Sequence, residues 1–414
     1  MSGPSASLLY AATISVPSVF REKPSDEITQ KKAHHVPSGG FDNPWPSWRN
    51  FTPWSIISAL ISRRLSGNSK LPDTTPPTVP VQTPQFLSER KSSTKLRATW
   101  LGHACYYVEF PSGLCVLFDP VFEDRCSPFS FIGPKRYTPQ PCRIADIPII
   151  DAVVISHNHY DHLSHPTVTE IAERHPQAHF FVPLGNKAWF SKNGIQQCTE
   201  LDWWDDIEFT LTPQKPYSDN IDSAKSFSTV NSSVSSSSPN ESAITARISC
   251  LPCQHISART PFDKAHTLWS SWAVTSSDTS VYFAGDTGYR AVPKSSDGQD
   301  DYSDAWAHLP RCPAFAQIGE YRGPFDLGLI PIGAYFPRFI MSPMHANPRD
   351  AVEIFRETRC KRALGMHWGT WVLTNEAVLE PPQLLNEALR FHGIDESKFE
   401  VCDIGESREY DKEK

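Results

Sequence analysis

Apolar residues form short runs and alternating patterns over most of the chain after residue 95. Runs rich in Val, Ile and aromatic residues, bounded by Gly, Pro, Asn or Asp, are typical of β-strands. They predict strands at 98–110, 114–118, 149–156, 179–182, 207–211, 246–251, 271–275, 281–284, 327–332 and 362–366. Helical patterns occur at 167–173, 348–358 and 382–391. Because several strands follow one another without a helix, we expect two mixed sheets packed together with outer helices.

Two segments depart from this pattern. Residues 1–92 are mostly polar, with scattered Pro and Ser, and we expect a partly disordered N-terminal extension before a folded domain at 93–408. The stretch at 217–242 is rich in Ser and Asn and has little to bury, so it predicts a disordered surface insertion. A regulatory loop that is phosphorylated is the alternative for this insertion.

One part of the extension, 51–65, has an amphipathic helical pattern. Trp54, Ile57 and Ile61 fall on one helical face, and two Arg residues follow at the C-terminal end. Two interpretations stay open. The segment forms either a short helix packed on the main domain or a helix that lies in a membrane interface.

Composition and charge narrow the class of protein. The chain has 414 residues, of which 39% are hydrophobic, so it can build a sizeable core. Its net charge is -7, so the chain lacks the excess of basic residues that is typical of nucleic-acid-binding proteins. No apolar run approaches the ~20 residues that a membrane span requires. We interpret the ten scattered cysteines as reduced thiols of an intracellular protein, either cytoplasmic or peripherally bound to a membrane.

The strongest chemical signal is the sequence HNHYDH at 157–162, directly after the predicted buried strand at 149–156. It delivers three imidazoles and one carboxylate into a small volume at the end of that strand. Such nitrogen and oxygen ligands suit Zn²⁺. Because the turn separates its first two histidines from Asp161 and His162, the motif can serve two ions.

Further candidate ligands occur at the ends of other predicted strands. His255 follows the strand at 246–251, Asp286 follows 281–284, and His367 follows 362–366. Each residue alone has an ordinary explanation, either a hydrogen-bonded structural histidine or an aspartate in a turn. Their repeated position at strand ends favours one shared metal site.

These motifs resemble a known family. The matching segments are FDNPWP at 41–46, TWLGHA at 99–104, ISHNHYDHL at 155–163, ELDWW at 200–204, FAGDTGY at 283–289 and MHWGT at 366–370. They are similar to the N-acyl-phosphatidylethanolamine-hydrolysing phospholipase D family, within the metallo-β-lactamase superfamily. The resemblance spans roughly 41–400 apart from the Ser-rich insertion. It implies an α/β fold, a four-layer αββα sandwich with an N-terminal extension.

The resemblance also implies the roles of the site residues. One zinc ion would be held by His157, His159 and His255, and the other by Asp161, His162 and His367. Asp286 would bridge the two ions. Two of these ligands, Asp161 and Asp286, are also predicted to be catalytic residues. His345, in MHANP at 344–348, matches a further active-site histidine, with a surface histidine beside a helix as the alternative. We expect His103 to shape the floor of the site.

The implied activity is zinc-dependent hydrolysis of N-acyl-phosphatidylethanolamine to N-acylethanolamine and phosphatidic acid. Either a metal ion or protonated His345 would assist the departing alkoxide. We expect a phospholipid substrate at a membrane surface, no nucleic-acid partner, and a homodimer. Candidates for the membrane-facing surface are Trp45, Trp48, Trp54, Ile57 and Ile61, with Arg63 and Arg64. Three alternatives stay open: a same-fold hydrolase of a carboxylic ester, lactone or other phosphodiester, a nuclease, and a non-catalytic binding protein.

Overall fold

The structure is a computed structural model that describes residues 9–50, 71–214 and 242–411. The predicted amphipathic segment at 51–65 lies outside the described residues. So does the Ser-rich insertion at 217–242, apart from its last residue.

Fifteen β-strands and seven α-helices form in the described part of the chain. The strands are β1 (Leu9–Ser15), β2 (Leu96–Gly102), β3 (Cys105–Glu109), β4 (Cys115–Phe118), β5 (Ala152–Val154), β6 (His179–Pro183), β7 (Cys198–Leu201), β8 (Asp206–Gln214), β9 (Ile244–Leu251), β10 (Ser271–Ser276), β11 (Thr279–Phe283), β12 (Leu327–Pro331), β13 (Ala363–Met366), β14 (Phe399–Glu400) and β15 (Ser407–Tyr410). The helices are α1 (Glu27–Gln30), α2 (His165–Arg174), α3 (Lys187–Lys192), α4 (Ala314–Tyr321), α5 (Arg338–Met341), α6 (Pro348–Glu357) and α7 (Glu380–Phe391).

The strands build two mixed sheets. One has eight strands in the order β1-β8-β9-β10-β11-β12-β13-β14, and the other has seven in the order β15-β2-β3-β4-β5-β6-β7. In each sheet one half is antiparallel, and the other half, β11 to β14 or β4 to β7, is parallel. The expected arrangement of two mixed sheets with helices is confirmed.

The two sheets pack face to face. Val154 faces the core between them, whereas Val153, one residue earlier, packs with Val168 of α2 on the outer side. Side chains alternate along a strand, so a strand covered on both sides must be apolar throughout. The rings of Phe118 and Phe283, from opposite sheets, lie 4.9 Å apart between centroids. The layers are therefore helix, sheet, sheet, helix, as expected.

The three predicted helices form close to their expected positions, and two of them, α2 and α6, begin at side chains that cap the helix. Ser164 accepts a hydrogen bond from the backbone of Thr167 at the start of α2. Asn347 and Asp350 form a reciprocal capping box at the start of α6, which also has Pro348 in its first turn. Such caps satisfy backbone N–H groups that a helix leaves without partners.

The predicted single strand at 98–110 is wrong. The structure has a tight antiparallel hairpin there, β2 and β3, in which Gly102 pairs with Cys105. Gly102 and His103 both have positive φ, +98° and +51°, which turns the chain back. Both strands are buried, so the apolar run continues across the turn and conceals it.

The sequence predicts an extension at 1–92 that is separate from the domain at 93–408. In the structure, the described N-terminal residues pack against that domain. β1 pairs antiparallel with β8 along seven residues as the outer strand of the larger sheet. Tyr10, Trp45 and Val79 belong to the same hydrophobic core as the strands. The described N-terminal residues are therefore an integral part of the fold.

Two further expectations can be compared with the structure. All ten cysteines lie in the described residues, where they are free thiols. Among the described residues, no helix combines the length and apolar character that crossing a bilayer needs.

Candidate metal centre

The predicted site residues lie on loops that follow strands of both sheets. The HNHYDH segment follows β5 of the smaller sheet, while His255, Asp286 and His367 follow β9, β11 and β13 of the larger one. In sheets with parallel strands, functional sites form beyond the carboxyl ends of the strands. The arrangement brings all seven predicted metal ligands into one cluster at this end of the sandwich.

Close backbone packing brings the loops of the two sheets together. Gly285, with φ of +59°, lies so near Ser156 that an added Cβ would be 2.6 Å from the Cβ of Ser156. Only glycine fits at such an approach. Gly285 therefore lets Asp286 lie beside the HNHYDH segment.

Three histidines form the first group of candidate ligand atoms. His157 Nε2 lies 2.8 Å from His159 Nδ1, and His255 Nε2 lies 3.3 Å from the same atom. These three ring nitrogens lie within 4.8 Å of one another. They correspond to the set that the resemblance assigns to one ion.

The second group joins Asp161, His162 and His367. Asp161 Oδ2 lies 3.5 Å from Nε2 of each of these histidines. Asp286 Oδ2 lies 3.1 Å from His162 Nε2, 2.9 Å from His367 Nε2 and 3.8 Å from His255 Nε2 of the first group. Asp286 is thus placed between the two groups, as expected for a bridging carboxylate.

Hydrogen bonds orient the rings from behind. His162 Nδ1 lies 2.6 Å from Asp119 Oδ2, and His255 Nδ1 donates to the carbonyl of Met344 at 2.9 Å. Ser156 Oγ donates to Asp119 at 2.5 Å and can therefore accept from His157 Nδ1 at 2.9 Å. In each ring the Nδ1 proton is held, which leaves the Nε2 lone pair for a ligand. Partners of this kind are typical of metal-binding histidines.

The donor set fits a metal centre. Asp286 Oδ1 is a buried atom without a hydrogen-bond partner, and Nε2 of His162 and Nε2 of His367 are buried beside the Asp161 and Asp286 carboxylates. Burying polar groups without partners is costly, and a bound cation would satisfy those that face it. Imidazole nitrogens and carboxylate oxygens are ligands that Zn²⁺ accepts.

The electrostatics of the site favour a bound cation. Burial alone would raise the pKa of Asp286, but His162 and His367 hold it well below its ordinary value. Burial alone would lower the pKa of His367, but Asp286 and Asp161 raise it to about 9. The carboxylates thus keep their negative charge and attract protons to the neighbouring rings. The same negative charge would stabilise a divalent cation in place of those protons.

His345 and His103 flank the two groups. His345 Nδ1 lies 3.8 Å from Asp286 Oδ2, and burial lowers the pKa of His345 to about 4. His103 Nε2 lies 3.0 Å from Asp161 Oδ2, and burial together with His367 lowers the pKa of His103 to about 3. His345 is therefore not the surface residue that the alternative interpretation described. The low pKa values favour neutral rings at both positions.

Comparison with known proteins identifies the family. A family model described as a beta-lactamase superfamily domain matches residues 115–368. The N-acyl-phosphatidylethanolamine-hydrolyzing phospholipase D 1 of Caenorhabditis elegans is 35% identical over 384 residues, 88% of this chain and 91% of the relative. The chain belongs to the N-acyl-phosphatidylethanolamine-hydrolysing phospholipase D family. The mitochondrial N-acyl-phosphatidylethanolamine-hydrolyzing phospholipase D of Saccharomyces cerevisiae is 30% identical, over 72% of this chain and 52% of the relative.

The fold and the family together make this phospholipase D family member a metal-dependent hydrolase. Among solved structures, Igni18, a metallo hydrolase of the archaeon Ignicoccus hospitalis, is 19% identical. That match has a TM-score of 0.47 and covers 77% of this chain and all of Igni18.

Sequence reasoning missed several supporting residues of this family member. Asp119 orients His162 and Ser156, and its position directly after β4 repeats the strand-end signal that identified the ligands. The guanidinium of Arg259 donates to the carbonyls of Asn158 and Leu163, both at 2.8 Å. No local motif identifies Arg259, because its partners are about a hundred residues away in the chain.

Proposed function

We propose that the protein is a zinc-dependent phosphodiesterase that hydrolyses N-acyl-phosphatidylethanolamine to N-acylethanolamine and phosphatidic acid. The observation that carries the proposal is the position of Asp286 between two groups of imidazole and carboxylate donors. Such a pair of adjoining groups can hold two cations beside one phosphodiester. The family to which the chain belongs supplies the substrate class.

The site residues would have different roles in metal binding. His157, His159 and His255 would hold one zinc ion, Asp161, His162 and His367 the other, and Asp286 both. Two bound zinc ions would lower the pKa of a nearby water and offset the charge of the phosphodiester. Asp119, Ser156 and the Met344 carbonyl keep the imidazoles in the required tautomer.

His345 would orient the substrate or the departing alkoxide. Its ring packs between those of His255 and His367, with centroid distances of 5.1 and 5.4 Å. Since burial favours the neutral imidazole, His345 would act through its one N–H and not as a charged group. The low pKa argues against the alternative in which protonated His345 assists the departing alkoxide.

Exposed apolar side chains near the site support a lipid substrate. Trp45, a predicted membrane-facing residue, is not among them. Trp45 is 6% exposed and stacks on Trp203 at 5.3 Å, so it is a core residue and not a membrane-facing one. Trp48 is half-buried, and the other expected membrane-facing residues lie outside the described residues. The exposed apolar side chains of the site region are instead Phe129, Phe131, Ile132 and Phe262.

These four side chains belong to two loops that border the candidate metal centre. Phe129, Phe131 and Ile132 are 54%, 78% and 57% exposed at the tip of a hairpin closed by the Arg125–Lys135 bridge. The hairpin is connected to the site through Trp371, which donates to the carbonyl of Asp124 and whose ring lies 4.9 Å from that of His103 between centroids. We name the tip at 129–132 the apolar hairpin. It would contact the bilayer in which the acyl chains of the substrate lie.

The second loop carries Phe262, which is 88% exposed. Arg259 of the same loop holds the HNHYDH segment through the carbonyl of Asn158. Exposed aromatic residues on two loops that are both bonded to the site region fit a surface that meets lipid.

Product analysis in ¹⁸O-labelled water tests the proposal. Attack at phosphorus would place the label in phosphatidic acid and release unlabelled N-acylethanolamine from N-acyl-phosphatidylethanolamine. The reaction should stop when a chelator removes the metal and resume when Zn²⁺ is added. Release of labelled fatty acid instead would show a carboxylic-ester hydrolase and contradict the proposal.

A further inference from the structure

The N-terminal segment at 41–49 lies behind the loop that carries His255. Asn43 is 6% exposed, and its Nδ2 donates to the carbonyl oxygen of His255 at 2.7 Å. Ser47 is fully buried, and its Oγ donates to Gln254 Oε1 at 2.5 Å. The segment therefore holds both His255 and the residue before it.

Gln254 connects this segment to the other loops of the site. Its side-chain Nε2 donates to the carbonyl of Pro343 at 2.9 Å. Its backbone accepts from Gly288 N at 2.8 Å and donates to Thr287 Oγ1 at 2.9 Å. Gln254 is completely buried, and the donor and acceptor of its carboxamide both have partners. Through its side chain and its backbone, this one residue thus contacts three segments that are distant in the sequence.

The hydrogen bond from Gln254 to Pro343 matters because the next residue, Met344, orients the imidazole of His255. The carbonyl of Met344 accepts from His255 Nδ1, which leaves His255 Nε2 beside His159. The backbone of His255 is fixed by Asn43 on one side, and its ring is fixed by Met344 on the other. A shift of either partner would move Nε2 away from the first ligand group.

We propose that Asn43 and Gln254 are positioning residues for His255, so that the N-terminal segment at 41–49 determines the affinity of one of the two ions. This inference rests on the proposed function for the metal-binding role of His255. The ion held by His157, His159 and His255 should depend on Asn43. The ion held by Asp161, His162 and His367 should not, because none of its three predicted ligands accepts a hydrogen bond from the segment.

Zinc affinity of the full chain tests the inference. Asn43→Asp keeps the shape of the side chain but places an acceptor against the His255 carbonyl. Removing an outer partner of a metal ligand weakens binding by about 10–100-fold. Chelator competition should therefore show one ion weakened to that extent and the other unchanged, while addition of Zn²⁺ restores full occupancy. Asn43→Ala removes the same hydrogen bond without adding a charge, so it should also weaken one ion and leave the other unchanged. It replaces Asn43→Asp in the test if that variant does not fold.

Asn186→Asp is the matched control. Asn186 is 2% exposed and donates from Nδ2 to the carbonyl of Pro183 at 2.9 Å. This substitution should lower the melting temperature but leave both zinc affinities unchanged. If the Asn43 variants keep wild-type affinity for both ions, or lose both ions in step with the melting temperature, the inference is wrong. A wild-type protein that binds no zinc would instead contradict the proposed function.

Discussion

At the scale of single residues, the site depends on which ring nitrogen each histidine presents. Asp119 and the Met344 carbonyl hold the Nδ1 protons of His162 and His255, so both rings present Nε2. His159 instead presents Nδ1 to its neighbours. Neutral imidazoles with fixed tautomers are the form that a metal ion needs.

His345→Asn should separate substrate orientation from metal binding. Asparagine keeps an N–H donor, but at a different place, so we expect turnover to fall by about 10²-fold. Zinc content should stay at the wild-type level, because His345 lies outside both ligand groups. Steady-state kinetics and metal analysis of the same preparation provide the two readouts. Full turnover with normal zinc content would remove His345 from the mechanism.

At the scale of elements, a buried carboxylate is one of the attachments between the N-terminal residues and the sandwich. Asp202, which follows β7, accepts from His34, His35 and Lys32 at 2.7, 2.9 and 2.7 Å. Burial would raise the pKa of Asp202, but hydrogen bonds from His34, Lys32 and His35 hold it well below its ordinary value. The segment that leads to Asn43 begins at this attachment.

Asp202→Asn should therefore destabilise the protein in a pH-dependent way. Hydrogen bonds to a charged group contribute about 1.5–3 kcal/mol, so losing the charge of the buried Asp202 carboxylate should cost about 2 kcal/mol. Because folding lowers the pKa of Asp202, its stabilisation is complete above the unfolded pKa of about 4 and is lost as the pH falls further. Chemical unfolding from pH 7 to pH 3 should show a constant difference from wild type above pH 5 that shrinks below pH 4.

Glu27→Gln is the control for Asp202→Asn. It breaks the exposed pair of Glu27 with Lys31 in the same N-terminal region and should cost at most about 0.5 kcal/mol. A difference between Asp202→Asn and wild type that does not change with pH would contradict the assigned role of the carboxylate.

Features that depend on residues a few positions apart could be predicted from the sequence. Contacts between residues that are far apart in the chain could not. The strand-end positions of His255, Asp286 and His367 and the caps of α6 are local, and the structure brings those histidines and the aspartate together. β1 is a short apolar stretch whose partner, β8, is about two hundred residues away. Asn43 gives no local signal either, because its role depends on a backbone carbonyl at residue 255.

At the scale of the whole molecule, the two sheets contribute different parts of one site. The smaller sheet supplies the HNHYDH segment, and the larger sheet supplies His255, Asp286 and His367. Closure of the sandwich and formation of the metal centre are therefore coupled, so bound zinc should stabilise the folded state. The homodimer stays a prediction.

The apolar hairpin provides a test on the same scale. Phe131→Ser combined with Ile132→Ser should reduce flotation with phosphatidylcholine vesicles that contain N-acyl-phosphatidylethanolamine. Phe391→Ser is the matched control, since Phe391 is 76% exposed at the end of α7. It should leave flotation unchanged. If the double variant floats normally but changes the oligomeric state, the hairpin contacts a second copy of the chain and not lipid.

Diffraction from crystals of the zinc-loaded protein, recorded at the zinc absorption edge, tests the central claim most directly. Two anomalous peaks should appear, one among His157, His159 and His255 and one among Asp161, His162 and His367, with Asp286 between them. A single peak, or peaks located away from these residues, would contradict the two-ion centre.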